Sequence, residues 1–489
     1  MRTSHTHPLQ IAFVRPTPTS GRIGITFCPG KRQPDAATGA WDRQLDVDLD
    51  AIAAWGAVAV VTLTEAHELQ ALGVAGLGAE VRARHMDWLH LPIVDVSVPD
   101  AGFERLWVDA GEGLRARLRA GFDILVHCKG GLGRAGLTAA RLMVELGIPA
   151  AEAVAAVRKA RPGAIETEAQ LAFVLAQTPV PEPVPATTEA AIRDRARGAL
   201  LGLAVGDAVG TTLEFKPRDS YAPLQDMIGG GPFQLQPGQW TDDTAMALAL
   251  ADSLDQDGDL DAADLMQRFV DWHERGRYSC TGRCFDIGIT TREALARWAA
   301  TGKPMAGSTD PKTAGNGSLM RLAPVALRHF RTPATLRDVA ARQSRTTHAA
   351  PEAVDACVAF AEMLADAIAG ATGGEVLRAR AGYAGAIDAI MAGSWRGKPR
   401  AAVRSSGYVA HALEASLWSV GTSSSFAEAV LRAANLGEDA DTTAAIAGQL
   451  AGALHGASSI PVDWRARLAW ADRITASADT LVSAALAQG

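Results

Sequence analysis

The pattern of hydrophobic residues changes partway along the chain. Before residue 178, short apolar runs rich in β-branched residues alternate with amphipathic stretches. The apolar runs are 57–63, 88–94 and 124–126, and the amphipathic stretches are 101–120, 137–147 and 150–160. Short apolar runs predict buried strands, and amphipathic stretches predict helices. Their alternation is typical of an α/β domain in which a mostly parallel sheet carries helices on both faces.

After residue 190, long Ala- and Leu-rich segments with helical spacing replace this alternation. These segments are 191–208, 243–256, 261–274, 353–370 and 441–455. They predict an all-α domain. Between the two patterns, residues 178–190 contain Pro179, Pro181, Pro183 and Pro185, which exclude a helix or a central strand. We therefore expect domains at 1–177 and 191–489, joined by an extended linker at 178–190.

Composition narrows the class of protein. Hydrophobic residues make up 48% and charged residues 21%, as in folded soluble proteins. A net charge of −7, without long Lys/Arg runs, favours neither nucleic acid nor a membrane surface as a partner. The five cysteines are scattered, and Cys280 and Cys284 have no second pair nearby, which predicts free thiols. No apolar run suits a signal peptide or a membrane span, so we expect a cytoplasmic protein.

A cysteine stands where the strand predicted at 124–126 ends, and a glycine-rich turn leads from it into a helix. The turn consists of Lys129, Gly130, Gly131, Leu132, Gly133 and Arg134. Backbone N–H groups of such a turn form an anion site, and the same field favours the thiolate of Cys128. Arg134 can bind two phosphate oxygens. A lone cysteine would more often be an inert buried thiol, but this combination predicts a nucleophile beside a phosphate site.

The pattern His-Cys-(five residues)-Arg resembles the active-site loop of protein tyrosine and dual-specificity phosphatases. Residues 126–134, followed by 161–170, resemble in particular the kinase-associated phosphatase branch. The resemblance implies an α/β cysteine-phosphatase fold and a general acid on a preceding loop, where Asp95 matches and Asp100 is the second choice. The family usually has Ser or Thr after the arginine, whereas this chain has Ala135. That departure predicts slow turnover or a domain that only binds phosphate.

Two acidic segments precede Ala-rich helical runs in the predicted all-α domain. They are Thr241-Asp242-Asp243 and Asp439-Ala440-Asp441-Thr442. Helix capping explains one such residue per helix, but not six. If the segments meet, their carboxylates repel unless protons or cations intervene, and the all-oxygen donor set favours Mg²⁺ or Mn²⁺. Two clusters predict two ions.

The Asp-x-Asp-x-Thr string that begins at Asp439 also occurs in haloacid-dehalogenase-type phosphatases. In those enzymes it follows a hydrophobic strand near the start of a domain. Here it follows a helical segment near the end of the chain, which argues against that alternative.

Six sequence blocks, in order, resemble the ADP-ribosylglycohydrolase family, specifically its dinitrogenase-reductase-activating branch. They are 197–215, 239–244, 315–321, 347–348, 407–414 and 435–452. The resemblance implies an all-α fold and a set of metal ligands formed by Thr241, Asp242, Asp243, Asp439, Asp441 and Thr442. It also implies catalytic carboxylates at Glu214 and Asp243, and an ADP-ribose site formed by Gly315, Asn316, Gly317, Ser318, His348 and Tyr408.

We therefore expect a hydrolase that uses two Mg²⁺ or Mn²⁺ ions to release ADP-ribose from a protein or small molecule, with ADP-ribosyl-arginine favoured. It is fused to a cysteine phosphatase that acts on phosphorylated substrates. Two alternatives stay open. The N-terminal domain could be a phosphate-binding pseudophosphatase that recruits substrates, or both domains could process a small phosphorylated ADP-ribose derivative.

Overall fold

The structure, a computed structural model, describes residues 1–36, 39–257 and 259–487. The chain forms two compact units, Met1–Glu182 and Pro183–Gly489, and their boundary falls within the proline-rich stretch. The first unit is α/β and the second is helical, so both predicted fold classes are confirmed. No helix among the described residues is both long and apolar enough to cross a membrane.

The first unit contains seven strands and seven helices among its described residues. The strands are β1 (Ala12–Val14), β2 (Ile23–Phe27), β3 (Arg32–Gln33), β4 (Trp41–Asp42), β5 (Ala57–Thr62), β6 (Asp87–His90) and β7 (Asp123–Cys128). The helices are α1 (Leu45–Trp55), α2 (Ala66–Ala71), α3 (Leu77–Ala83), α4 (Ala101–Arg119), α5 (Gly133–Glu145), α6 (Ala150–Ala160) and α7 (Glu168–Leu175).

Five of these strands form one sheet in the order β1-β2-β7-β5-β6, and only β1 is antiparallel to its neighbour. Apolar side chains of α4, α5 and α6 cover one face, and those of α1, α2 and α3 cover the other. β6 ends at His90, two residues before Pro92, because proline lacks the N–H needed for a sheet hydrogen bond. The run predicted at 88–94 is therefore a shorter strand.

The central strands bring three loops to one edge of this sheet. β2 and β7 pair in parallel with Phe27 opposite Cys128, and β5 pairs with β7 so that Thr62 lies opposite His127. The carboxyl ends of parallel strands lie at the same edge, where α/β proteins place their ligand sites. The loops after β2, β5 and β7 therefore lie beside one another.

The second unit contains helices and isolated β-bridges, with no extended strand in residues 183–257 and 259–487. The first seven helices are α8 (Glu189–Gly210), α9 (Asp242–Asp257), α10 (Ala262–Arg275), α11 (Ile289–Thr301), α12 (Ala323–His329), α13 (Pro333–Thr347) and α14 (Pro351–Ala369). The others are α15 (Gly373–Val376), α16 (Gly385–Met391), α17 (Val409–Thr422), α18 (Phe426–Ala434), α19 (Ala440–His455), α20 (Val462–Arg467) and α21 (Ala471–Ala487).

Helices α8 and α19 pack backbone against backbone. Glycines recur at every fourth position of α8, and each faces a small residue of α19. The facing pairs are Gly198 with Gly452, Gly202 with Gly448, Gly206 with Ala444 and Gly210 with Ala440. A Cβ atom on any of these glycines would collide with a carbonyl oxygen of the partner helix. The glycines therefore set an antiparallel contact that brings the end of α8 to the start of α19.

Candidate active sites

Cys128 ends β7 at the carboxyl edge of the sheet and is almost fully buried. The peptide N–H of Gly131 donates a hydrogen bond to its sulfur, with an N–Sγ distance of 3.2 Å. Gly131 has a φ of 72°, and a side chain there would meet the backbone of Thr26 and Phe27. Glycine is required at this position because the turn needs both a left-handed residue and close packing. The turn thus aims a backbone donor at the sulfur.

The other predicted residues of this loop lie around the same turn. Lys129 and Leu132 are half-buried, and Gly130 is exposed. Gly133 begins α5, so the loop runs directly into a helix N-terminus. Ala135 lies in the first turn of α5 and is fully buried, so no hydroxyl follows Arg134.

Arg134 is held in a fixed orientation by three acceptors. Its Nη1 lies 2.6 Å from Glu68 Oε2 and 2.9 Å from the carbonyl oxygen of Ile93, and its Nη2 lies 3.0 Å from Glu68 Oε1. Glu68 lies on α2, far from Arg134 in sequence, and is buried. The pKa of Glu68 is lowered because its hydrogen bonds to Arg134 outweigh the effect of burial, which acts in the opposite direction.

The two candidate general acids differ in their contacts. Asp95 is half-exposed, and its Oδ1 lies 2.8 Å from Nη2 of Arg134, so its carboxyl group lies at the mouth of the loop. Asp100 is the N-cap of α4 and accepts a hydrogen bond from the backbone N–H of Phe103 at 2.8 Å. The geometry therefore favours Asp95 over Asp100.

In the second unit, the two acidic segments meet at the start of α9 and the start of α19. Thr241 Oγ1 lies 3.3 Å from Asp243 Oδ2 and 3.4 Å from Asp441 Oδ2. Thr442 Oγ1 lies 3.4 Å from the same Asp243 oxygen. Carboxylate oxygens of Asp441 also lie within 4.8 Å of those of Glu214 and Asp439. Side chains about two hundred positions apart therefore share one cluster.

The charges of this cluster fit a cationic ligand. The pKa values of Asp242 and Asp243 are raised far above normal, first by burial and then by neighbouring carboxylates, and the pKa of Asp439 is raised to about 7. Asp243 Oδ1 is buried without a hydrogen-bond partner among the described residues. An unpaired buried carboxylate oxygen is costly unless a cation binds it, and hard oxygen donors suit Mg²⁺ or Mn²⁺.

Asp207 contacts the cluster but is saturated by hydrogen bonds. Its Oδ1 accepts from the N–H of Thr241 at 2.8 Å and its hydroxyl at 2.9 Å. Its Oδ2 accepts from the N–H of Thr244 at 3.0 Å and its hydroxyl at 2.7 Å. A carboxylate has about four lone pairs, and all are used here. Asp207 therefore orients the first turn of α9, although its oxygens lie within 4.8 Å of those of Asp243 and Asp441.

Two further carboxylates border the cluster. Glu214 Oε2 accepts from the backbone N–H groups of Ala440 at 2.8 Å and Asp441 at 3.3 Å, so it caps α19. Asp286 lies close enough to Asp441 to interact with it, and its pKa is raised to about 11 by burial and then by Asp441. Asp286 also has a φ of 61°, and non-glycine residues in this left-handed region are concentrated at functional sites.

The predicted glycine-rich turn lies against the same cluster. Gly315 forms an antiparallel bridge with Tyr408, and the N–H of Asn316 donates to the carbonyl oxygen of Gly407 at 3.1 Å. The amide Nδ2 of Asn316 donates to Asp439 Oδ2 at 2.8 Å. The turn is therefore fixed directly to the second acidic segment.

The remaining predicted sugar-site residues have contrasting surroundings. His348 is buried against Gly317, and burial followed by nearby Arg321 lowers its pKa to about 3, so its ring is neutral. The hydroxyl of Tyr408 donates to Glu352 Oε2 at 2.5 Å. Ser318 is fully buried, with its hydroxyl 2.8 Å from that of Ser344. The hydroxyl of Ser318 is therefore engaged inside the protein and is not open to a ligand.

The chain thus combines a helical unit that carries a buried acidic cluster with an α/β unit that carries a cysteine at the start of a glycine-rich loop. Residues 188–489 match the family described as ADP-ribosylglycohydrolase. Residues 38–174 match the family described as the Swiss Army Knife protein, DSP-PTPase phosphatase domain. The chain belongs to the ADP-ribosylglycohydrolase family, and both predicted resemblances are confirmed.

Two relatives illustrate the family. The ADP-ribosylarginine hydrolase Tri1 of Pseudomonas putida is 49% identical over 291 residues, which cover 59% of this chain and 78% of that protein. The ADP-ribosyl-[dinitrogen reductase] glycohydrolase of Rhodospirillum rubrum is 36% identical over 285 residues, which cover 58% of this chain and 92% of that protein.

Two solved structures resemble the two units. One described as an ADP-ribosylglycohydrolase-related protein complex shares 40% identity, covering 60% of this chain and 99% of that chain with a TM-score of 0.55. A crystal structure of kinase-associated phosphatase, with its catalytic cysteine changed to serine, shares 25% identity. It covers 34% of this chain and 92% of that chain, with a TM-score of 0.31.

Proposed function

We propose that the second unit hydrolyses the glycosidic bond between ADP-ribose and an arginine side chain of a modified protein, using two Mg²⁺ or Mn²⁺ ions. The observation that carries this proposal is the cluster in which the hydroxyls of Thr241 and Thr442 lie against Asp243 Oδ2, with Asp441 beside them. The other oxygen of the same carboxylate, Asp243 Oδ1, is buried without a hydrogen-bond partner among the described residues. The arginine linkage is supported by the relative from Pseudomonas putida, whose name specifies ADP-ribosylarginine.

The ions would be held by Thr241, Asp242, Asp243, Asp439, Asp441 and Thr442. When bound, they supply Lewis-acid polarisation of ribose hydroxyls and of water. Glycosidic cleavage develops positive charge on the sugar, which surrounding carboxylates stabilise. In this proposal Asp286, Glu214 or Asp243 would accept a proton from the attacking water. The turn 315–318, with His348 and Tyr408, would bind the ADP part and hold the anomeric carbon near these groups.

We propose that the first unit, within 1–177, hydrolyses phosphoesters, and that 178–190 links it to a hydrolase domain at 191–489. Cys128 attacks phosphorus, Arg134 and the loop amides bind the phosphoryl oxygens, and Asp95 protonates the leaving oxygen. Water then cleaves the phosphocysteine. A second function, a phosphate-binding domain that recruits substrates, is favoured by Ala135, because no hydroxyl is present there to assist thiolate departure. Under a further alternative, both units would act on one small phosphorylated ADP-ribose derivative.

We also propose a cytoplasmic location, which the five free cysteines support because reducing compartments keep thiols unpaired.

Paired assays test both activities in the full chain. Asp441→Asn is expected to abolish ADP-ribose release from an ADP-ribosyl-arginine protein and to leave phosphate release from a phosphotyrosine peptide unchanged. Cys128→Ser is expected to do the reverse. The matched controls are Asp463→Asn, on an exposed position of α20, and Cys284→Ser, outside the phosphatase loop. ADP-ribose release that survives Asp441→Asn contradicts the metal assignment. Phosphate release that survives Cys128→Ser contradicts the nucleophile.

A further inference from the structure

A lysine that sequence motifs did not single out lies beside the Cys128 loop. Lys31 follows β2 in the segment Cys28-Pro29-Gly30-Lys31, and β2 runs parallel to β7 with Phe27 opposite Cys128. The ammonium group of Lys31 donates to the carbonyl oxygen of Lys129, the residue after the nucleophile, with an Nζ–O distance of 3.4 Å. The lysine therefore reaches the loop from the neighbouring strand.

The surroundings of Lys31 are apolar and cationic rather than acidic. The residue is only 6% exposed, and its Nζ lies 4.5 Å from the ring centre of Trp41 and 4.9 Å from that of Phe27. Arg43 packs on the same two rings. Arg43, however, has its own counterion, because both oxygens of Asp48 accept from its guanidinium at 2.7 Å.

Lys31 has no comparable partner. Across residues 1–36, 39–257 and 259–487, no carboxylate lies within ion-pair distance of either Lys31 or Lys129, and the one hydrogen bond of Lys31 is long. An ammonium group has three donors, so two remain unused in a buried position. Burial lowers the pKa of Lys31 to about 8, while the thiols of Cys28 and Cys128 act in the opposite direction. The nucleophile is thus within electrostatic reach of this cation.

A purely structural role explains the packing on two aromatic rings, which stabilises a lysine by cation–π attraction. It does not explain why two carboxylates of this unit, Glu68 and Asp48, both pair with arginines and neither pairs with Lys31. Arg134 and the loop amides already suffice for one phosphate. Lys31 beside this loop and Lys129 within it add two cations that have no carboxylate of the described residues within ion-pair distance, and such cations suit additional negative charge on the ligand.

We propose that Lys31, together with Lys129, binds a second phosphate of the substrate. The first unit would then prefer phosphoesters with two phosphates, joined as a diphosphate or on adjacent carbons, over simple monophosphates. This inference rests on the proposed phosphatase function of the Cys128 loop. It assigns Lys31 a role in specificity, since the cation would contact the phosphate that is not hydrolysed.

Calorimetric titration of the full chain carrying Cys128→Ser tests this inference without turnover. The probes are orthophosphate and pyrophosphate, with EDTA present. Pyrophosphate is expected to bind at least about tenfold more tightly, and Lys31→Met should remove most of that advantage while changing orthophosphate affinity little. Lys31→Arg should retain the tighter binding of pyrophosphate. The control Lys159→Met, at an exposed lysine of α6, should retain it as well. Arg134→Met should abolish binding of both anions.

The outcomes separate the two proposals. If neither anion binds to the Cys128→Ser protein, the phosphatase proposal fails. If both bind with equal affinity, or if Lys31→Met weakens both equally, the role of Lys31 is overturned while the phosphate site stands. Pyrophosphate binding that survives Arg134→Met also overturns it, because the anion then binds elsewhere. Should Lys31→Met not fold, as judged by circular dichroism, Lys31→Gln replaces it in the same comparison.

Discussion

The carboxylate of Glu68 accepts two hydrogen bonds from the guanidinium of Arg134, with Oε2–Nη1 at 2.6 Å and Oε1–Nη2 at 3.0 Å. Two parallel bonds fix the plane of the guanidinium as well as its position. The loop arginine is therefore oriented before any phosphate arrives, and the group that orients it comes from a different helix.

Glu68→Gln is expected to lower kcat/KM for phosphate release by about tenfold to a hundredfold, because a displaced guanidinium no longer matches the phosphoryl oxygens. Steady-state kinetics with a phosphotyrosine peptide measure this. Glu80→Gln, at an exposed glutamate of α3, is the control. Equal rates in wild type and Glu68→Gln would contradict a positioning role for Glu68.

Asp95→Asn and Asp100→Ala should have different consequences. Asp95→Asn is expected to reduce kcat by about a hundredfold for an ester with a poor leaving group and much less for p-nitrophenyl phosphate, which needs no general acid. Asp100→Ala should instead lower the free energy of unfolding by about 1 kcal/mol, because α4 loses its N-cap, with kcat nearly unchanged. The reverse pattern would identify Asp100 as the acid.

Gly317→Ala should weaken ADP-ribose binding. A Cβ at residue 317 would lie 2.8 Å from Cε1 of His348, so the ring must move away from the turn. The expected result is an increase in Kd for ADP-ribose of about tenfold, measured by calorimetry. Gly288→Ala is a suitable control, since a Cβ there meets no atom within 4 Å. Unchanged affinity in Gly317→Ala would exclude this turn from the binding site.

Local patterns in the sequence were sufficient to predict much of the fold. The apolar run that ends at Cys128 and the glycine turn after it predicted β7, the loop and α5 together. β2 was missed because Ile23–Phe27 is short and includes Gly24 and Thr26, which weaken a strand pattern. The close contact between α8 and α19 was not predicted, because the fourfold glycine spacing in α8 does not say which helix packs against it.

The candidate sites were predictable where chemistry clusters in sequence, and not where single residues converge from afar. Glu68 and Asp286 each stand alone in unremarkable segments, so no spacing rule could link them to Arg134 or Asp441. Asp207 did carry a signal, because a carboxylate within the apolar helix face 200–209 needs buried partners. The four hydrogen bonds from Thr241 and Thr244 are those partners.

Asp207→Asn should weaken metal binding although Asp207 has no lone pair left for an ion. The amide nitrogen of the introduced Asn cannot accept a hydrogen bond from Thr241 or Thr244. The first turn of α9 therefore loses two of the four hydrogen bonds that orient it. Loss of such an orienting group typically lowers metal affinity by about 10- to 100-fold. Thermal unfolding with increasing Mn²⁺ measures this as a smaller rise in Tm than in wild type. Asp463→Asn, the exposed control, should respond to Mn²⁺ like wild type, and an equal response from Asp207→Asn would contradict the assignment.

The preference for pyrophosphate should decline at alkaline pH. The pKa of Lys31 is lowered to about 8, chiefly by burial, and the titratable groups that interact with it are the thiols of Cys28 and Cys128 and the cations of Arg43 and Lys129. Below that pH the ammonium is charged and can bind the second phosphate. Above that pH, the affinity of the Cys128→Ser protein for pyrophosphate should fall by at most about tenfold per pH unit, because the ammonium of Lys31 loses its proton. Lys31→Arg stays protonated and corrects for ionisation of pyrophosphate itself.

The pH dependence of the free energy of unfolding gives an independent measure of the titration of Lys31. Because the folded pKa of Lys31 lies below its ordinary value of 10.5, the unfolded chain binds more protons between about pH 8 and 10.5. The contribution of Lys31 to the free energy of unfolding should therefore rise across that interval, while pyrophosphate affinity falls. Urea unfolding of wild type and Lys31→Met at several pH values measures the difference. If the difference between the two proteins does not vary with pH, Lys31 does not titrate as inferred.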